Sequence, residues 1–198
     1  GTEGCFTAGN DVGDFLNNPP GRADSPVFRF LTGLARSTVP MIAAVDGPAV
    51  GIGTTLLLHC DSVIVTKSAK LQMPFVNLGL LPEAGSTYIL PRLLGHAKAS
   101  EIVMLGEPFS GSDAVEWGIA TRVVAADALV NEARAMARAY AERPPEAMRL
   151  TKKLLKGDMD KVEDAMKVEA GYFSERLVSA EAREAFTAFL EKRKPNFG

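Results

Sequence analysis

The stretch Pro40-Met41-Ile42-Ala43-Ala44-Val45-Asp46-Gly47-Pro48-Ala49-Val50-Gly51-Ile52-Gly53 sets the architecture. Its first half is a continuous apolar run between breakers, the pattern of a strand buried on both faces, and Asp46-Gly47-Pro48 turns the chain. Gly51 to Leu58 then reads as a glycine-rich entry into a short, almost wholly apolar helix, which has to be internal. Ser62-Val63-Ile64-Val65-Thr66 is a β-branched run, and Lys70-Leu71-Gln72-Met73 is a further short strand before Pro74. Strands separated by helical segments predict an α/β layer structure with a parallel or mixed sheet.

Upstream, Cys5-Phe6-Thr7 reads as the end of a short strand broken by Ala8-Gly9-Asn10-Asp11. Asn17-Asn18-Pro19-Pro20-Gly21 reads as a surface loop, after which Val27, Phe28, Leu31, Leu34 and Ala35 recur at helical spacing up to about Ser37. Downstream, Asn77-Leu78-Gly79-Leu80-Leu81-Pro82-Glu83-Ala84-Gly85-Ser86-Thr87 opens an amphipathic helix, and Ser112 to Trp117 is a short segment capped by Gly118. Ala120 to Val124 is strand-like. From Asp127 the pattern is almost entirely helical, over Ala128 to Ala141, Pro145 to Leu155, Val162 to Phe173 and Ala180 to Lys192. The expected division is an α/β core over 1–126 and a helical region over 127–198.

The chain has 198 residues, 46% of them apolar, enough for a sizeable core. Its 22 basic and 24 acidic residues leave a net charge of -2, without the basic excess of a nucleic-acid binder. No apolar run approaches the roughly 18 residues of a membrane span, and no signal or peroxisomal address is visible, so a cytoplasmic location is expected. Cys5 and Cys60 stand far apart beside apolar runs and read as buried free thiols. His59 and His96 have no partners at triad or metal spacing, and His96 reads as surface or capping.

Two loops end in small residues that leave backbone N–H groups free, Ala8-Gly9-Asn10-Asp11 and Gly51-Ile52-Gly53. Donors from two sides suit a carbonyl oxygen that becomes negative in a transition state, while plain turn chemistry explains each loop taken alone. Glu83 has an ordinary explanation too, as an acidic residue in the first turn of a helix.

Taken in order, the motifs resemble the crotonase superfamily, the enoyl-CoA hydratase/isomerase family. The residues that carry the resemblance are Phe6 to Asp11, Ile42 to Gly53, Asn77 to Thr87, Leu105 to Ser110, Ala114 to Gly118 and Ala188 to Phe197. The resemblance implies a crotonase-like (ClpP/crotonase) spiral ββα core with a helical C-terminal trimerisation region, entered here without the family's opening strands. It implies an acyl-CoA thioester as substrate, no metal or other cofactor, and a homotrimer or dimer of trimers. The oxyanion donors carried over are the N–H groups of Ala8 and Ile52, the latter in place of the common glycine.

The two glutamates of the family's hydratases match Thr55 and Phe75, neither of which can move a proton as a carboxylate does. Glu83 matches the single base of family members similar to Δ3,Δ2-enoyl-CoA isomerases, with Asn10-Asp11 and Asn77-Leu78-Gly79 also in place. The resemblance thus implies a double-bond shift from 3-enoyl-CoA to 2-trans-enoyl-CoA, with Phe75, Leu80 and Leu81 excluding water. Gly9, Asn10, Asp11, Thr55, Phe75 and Leu80 are the expected substrate contacts, with Phe189 and Lys192 reaching a CoA, often that of a neighbouring subunit. Asp11 also suits ordering its own loop, and Arg193 and Lys194 read equally as a solvated basic end. The alternatives are another enolate reaction, hydration or ring isomerisation, and a noncatalytic member that binds acyl-CoA or a partner.

Overall fold

The computed structural model describes residues 4–11, 13, 15 and 26–198. The proposed Asn17 to Gly21 loop lies outside the described residues. The described elements begin with α1 (Pro26–Arg36), followed by β1 (Ile42–Val45), β2 (Pro48–Val50) and α2 (Ile52–Thr55), which passes into a 3-10 turn at Leu56–His59. Next come β3 (Ser62–Thr66), β4 (Lys70–Gln72), a 3-10 turn at Val76–Leu78, α3 (Ser86–Leu94) and α4 (His96–Leu105). Then β5 (Phe109–Ser110), α5 (Gly111–Glu116) and β6 (Arg122–Val124) complete the strands. The chain finishes in α6 (Leu129–Ala141), α7 (Pro145–Lys156), α8 (Met159–Leu177) and α9 (Ala180–Leu190).

The six strands form two sheets of three, ordered β1-β3-β6 and β2-β4-β5. The first is wholly parallel, and the second is mixed because β5 runs antiparallel to β4. After each strand of the first sheet in the pairs β1-β2 and β3-β4, a short turn passes the chain to the second sheet, and helical structure follows. Asp46 joins the two turns: it accepts from Thr66 Oγ1 at 2.6 Å and Ser68 Oγ at 2.8 Å, and these bonds hold its carboxyl below its ordinary range. This ββα recurrence is the spiral expected from the motifs.

The strand buried on both faces is β3, all of whose residues are buried, and not β1, where buried and half-buried residues alternate. The reason is position, because β3 is the centre of its sheet and β1 an edge. Cys5 and Thr7 each carry an isolated bridge, that of Thr7 running parallel to Ala49 of β2. α6 lies on β1 and β3, so the first helix of the C-terminal run covers the parallel sheet.

Val45, Val65, Leu71, Met73, Leu57 and Phe186 fill the main core, with Phe186 of α9 brought against the sheets. A second cluster joins Leu31 and Ala35 of α1, Ala84, and Val162 and Met166 of α8. Cys5 and Cys60 are free thiols but half-buried where full burial was expected, Cys60 packing at the edge of the core. Among the described residues no helix is long and apolar enough to cross a membrane.

Candidate active site

A cavity of about 600 Å3 opens between the two glycine-rich loops, the segment before α3, and helices α1, α8 and α9. Ala8, Gly9 and Asn10 line it from the first loop and Gly51 and Ile52 from the second, with Phe75, Leu80 and Glu83 opposite.

The two loops are held against each other by backbone. Thr7 N–H donates to Pro48 O at 3.0 Å, and Val50 N–H donates to Thr7 O at 3.0 Å. Two glycines permit this approach: a Cβ at Gly9 would meet Val50 O at 2.9 Å, and one at Gly53 would meet Thr7 Cγ2 at 2.3 Å. Among the described residues, the N–H groups of Ala8 and Ile52 have no acceptor. Both residues line the cavity, so each carries a backbone donor not used within the fold. α2 is only four residues long, which makes the N–H groups themselves, more than a helix dipole, the source of any stabilisation.

Glu83 is not in the first turn of α3, as the sequence pattern suggested. The helix starts at Ser86, and Glu83 precedes its cap residue, Gly85. Ser86 donates through N–H (3.1 Å) and Oγ (2.6 Å) to the Glu83 carbonyl, turning the side chain away from the helix axis and toward the cavity. The capping task belongs instead to Glu169 of α8, whose carboxylate accepts from Gly85 N–H at 2.6 Å and from Thr87 N–H at 2.9 Å.

The partner of the Glu83 carboxylate is Thr55, whose hydroxyl donates to Oε1 and also lies 3.4 Å from Gly51 O. Burial pushes the Glu83 carboxyl up to about 7, against the opposing effect of the Thr55 hydrogen bond, and the charge of Glu169 adds to the rise. Behind Glu83, the Ala84 carbonyl accepts from His59 Nε2 at 2.7 Å, which fixes the proton on that nitrogen. Burial lowers the His59 pKa, so the ring is a neutral strut. His96, by contrast, is exposed at the start of α4.

Of the residues singled out from the sequence, Ala8, Gly9, Asn10, Ile52, Phe75, Leu80, Glu83 and Phe189 meet at the cavity. Asp11, Thr55 and Lys192 do not line it. Asp11 orders its own loop by accepting from Gly13 N–H at 2.7 Å, Thr55 is fully buried beneath Glu83, and Lys192 is exposed beyond the end of α9. The sequence reading missed the helical walls, Phe28 and Leu31 of α1 and Phe173 of α8, whose spacing is that of any core-facing helix. It also left Arg193 undecided, and this residue lines the cavity while tied to Glu184 at 2.6 Å and Glu191 at 2.6 Å.

Among the described residues, two loops with unpaired N–H groups and one buried carboxylate line the same largely apolar cavity. The chain belongs to the enoyl-CoA hydratase/isomerase family, whose model matches residues 1–198. It is 38% identical over 202 residues to the 1,2-epoxyphenylacetyl-CoA isomerase of Escherichia coli (strain K12), covering 97% of this chain and 76% of that one. It is 35% identical over 199 residues to a probable enoyl-CoA hydratase of Bacillus subtilis (strain 168), covering 97% and 77%. Among solved structures, Pseudomonas aeruginosa OdaA superposes with a TM-score of 0.93 at 50% identity, covering 96% of this chain and 78% of that one.

Proposed function

We propose that this protein isomerises 3-enoyl-CoA to 2-trans-enoyl-CoA with Glu83 as its single acid/base. The observation that carries the reading is the carboxylate inventory of the cavity: among the described residues, Glu83 is the one acidic side chain that lines it. Thr55 and Phe75 stand where the family's hydratases, by the resemblance, carry their two glutamates.

The substrate's thioester carbonyl accepts from Ala8 and Ile52 N–H. The Glu83 carboxylate removes a proton from the carbon between the thioester and the 3,4 double bond. The electron pair moves into a dienolate whose oxygen the two N–H groups hold, each such donor contributing about 2.7–4 kcal/mol. Glu83 then returns the proton to the far carbon, giving the conjugated product. A carboxyl with a pKa of about 7 suits both steps, since it is partly ionised near neutrality and gives its proton back without a large barrier. Phe75, Leu80 and the aromatic walls Phe28 and Phe173 keep water from competing for the intermediate. Coenzyme A is part of the substrate and the cycle uses no other cofactor. Phe189 meets the substrate at the cavity wall, and the exposed Lys192 is assigned to the CoA of a neighbouring subunit in a homotrimer on the strength of the family resemblance.

Incubation with 3-enoyl-CoA, followed by absorbance of the conjugated thioester, tests the reading. Turnover that depends on Glu83 is expected, and calorimetric binding of an acyl-CoA without turnover would replace catalysis with a binding role. A ring-bearing acyl group is the second reading, favoured by the name of the E. coli relative and by the phenylalanines around the cavity. Comparing aryl and straight-chain thioesters distinguishes the two.

A further inference from the structure

Glu169 lies on α8, 84 residues from Gly85 in sequence, and is 4% exposed. Its contacts are all with donors: Gly85 N–H at 2.6 Å, Thr87 N–H at 2.9 Å and Thr87 Oγ1 at 2.5 Å. Burial raises the Glu169 pKa, and these hydrogen bonds, two of them from backbone N–H groups that can only donate, favour the ionised form against it. The turn it grips is unusual in its backbone, because Ala84 and Gly85 have consecutive positive φ values of 64° and 71°. A left-handed alanine is held only where its surroundings over-determine it. Here His59 fastens the Ala84 carbonyl from one side and Glu169 fastens the next N–H from the other.

We propose that Glu169 is a positioning residue for Glu83: its carboxylate clamps the Ala84–Gly85 turn that aims Glu83 into the cavity. Its charge, felt at Glu83, is the readout of that position. The catalytic consequence rests on the isomerase reading, whereas the clamp does not. The other titratable groups around the pair are engaged elsewhere. On α8, Glu163 pairs with Arg36 of α1, Lys167 with Asp164 at 2.9 Å, and Arg176 with Glu181 of α9. On α3, Arg92 stacks on Tyr88 at 3.4 Å from the ring centroid. Toward α7, His59 is neutral and the Lys156 ammonium donates to Ala35 O at 2.8 Å and Leu34 O at 3.2 Å. Arg193, which lines the cavity with Glu83, is paired with Glu184 and Glu191, and the charge that acts on Glu83 is that of Glu169.

The test is a carbon NMR titration of protein labelled at the glutamate carboxyl carbons, with the Glu83 signal assigned by Glu83→Gln. In Glu169→Gln the Glu83 midpoint falls by about half a unit; an unchanged midpoint in a variant folded by circular dichroism overturns the proposal. If Glu169→Gln does not fold, Glu169→Asp keeps the charge while shortening its reach to the Gly85 and Thr87 N–H groups. The Glu83 midpoint is expected to move there too, and an unmoved Glu83 signal contradicts us. No substrate is involved, so a failure of the isomerase reading leaves this result standing. With turnover in hand, the midpoint of the kcat/KM pH profile moves with the NMR midpoint in Glu169→Gln, whereas a merely structural role lowers activity without moving it.

Discussion

The turn before α3 and the middle of α8 each sink a glutamate into the protein, and the surroundings of the two carboxylates differ. Glu169 meets three donors and is saturated, while Glu83 meets one hydroxyl, that of Thr55, and otherwise faces the cavity. Burial raises the pKa of both, but three hydrogen bonds oppose the rise at Glu169 and one, from Thr55, opposes it at Glu83. A buried carboxylate given enough donors anchors structure. One left short of donors holds a proton loosely enough near neutrality to exchange it with a substrate.

The comparison breaks most visibly at Glu83. Glu83→Gln is expected to lower kcat about a thousandfold, the scale of a lost general acid/base, in steady-state assays with 3-enoyl-CoA. Ile52→Pro removes one oxyanion donor while proline remains tolerated at the first position of a helix, and kcat is expected to fall about a hundredfold or more with a smaller change in KM. Thr55→Val leaves Glu83 without its hydroxyl partner. The pH–rate midpoint, expected near 7 with activity lost below it because the carboxylate is the base, then moves upward, and activity at pH 7 falls about fivefold.

The smallest effect is on stability. The folded-state pKa of Glu83 stands above its ordinary value, so the unfolded chain releases this proton first and ionisation favours unfolding. The resulting destabilisation grows as pH rises from 4.5 and levels off above about 7. Glu83→Gln is therefore expected to raise Tm at pH 8 but not at pH 4, by at most about 3 kcal/mol in stability.

How much of this could be read from the chain follows from range. The ββ turn at Asp46-Gly47, the two glycine loops and the apolar entry of α2 are local, so residue type and spacing reveal them. Which strand lies at the centre of a sheet is set by pairing across the fold, and Ile42 to Val45 gives no sign that it becomes an edge. Glu83 was legible as a candidate, yet its displacement from α3 was not, because the helix is capped by a residue 82 to 84 positions away. Glu169 itself sits in a charged helical segment and looks like any solvated glutamate. Phe28, Leu31 and Phe173 look like core residues because a cavity wall and a core share the same periodicity.

The central claim is that one carboxylate performs a double-bond shift in a cavity not equipped for hydration. The most direct measurement assays one preparation in parallel on 3-enoyl-CoA and 2-trans-enoyl-CoA, for the wild type and for Glu83→Gln. The account predicts isomerisation far in excess of hydration, with isomerisation abolished by the substitution. Hydration at a comparable rate, or isomerisation that survives Glu83→Gln, would contradict it.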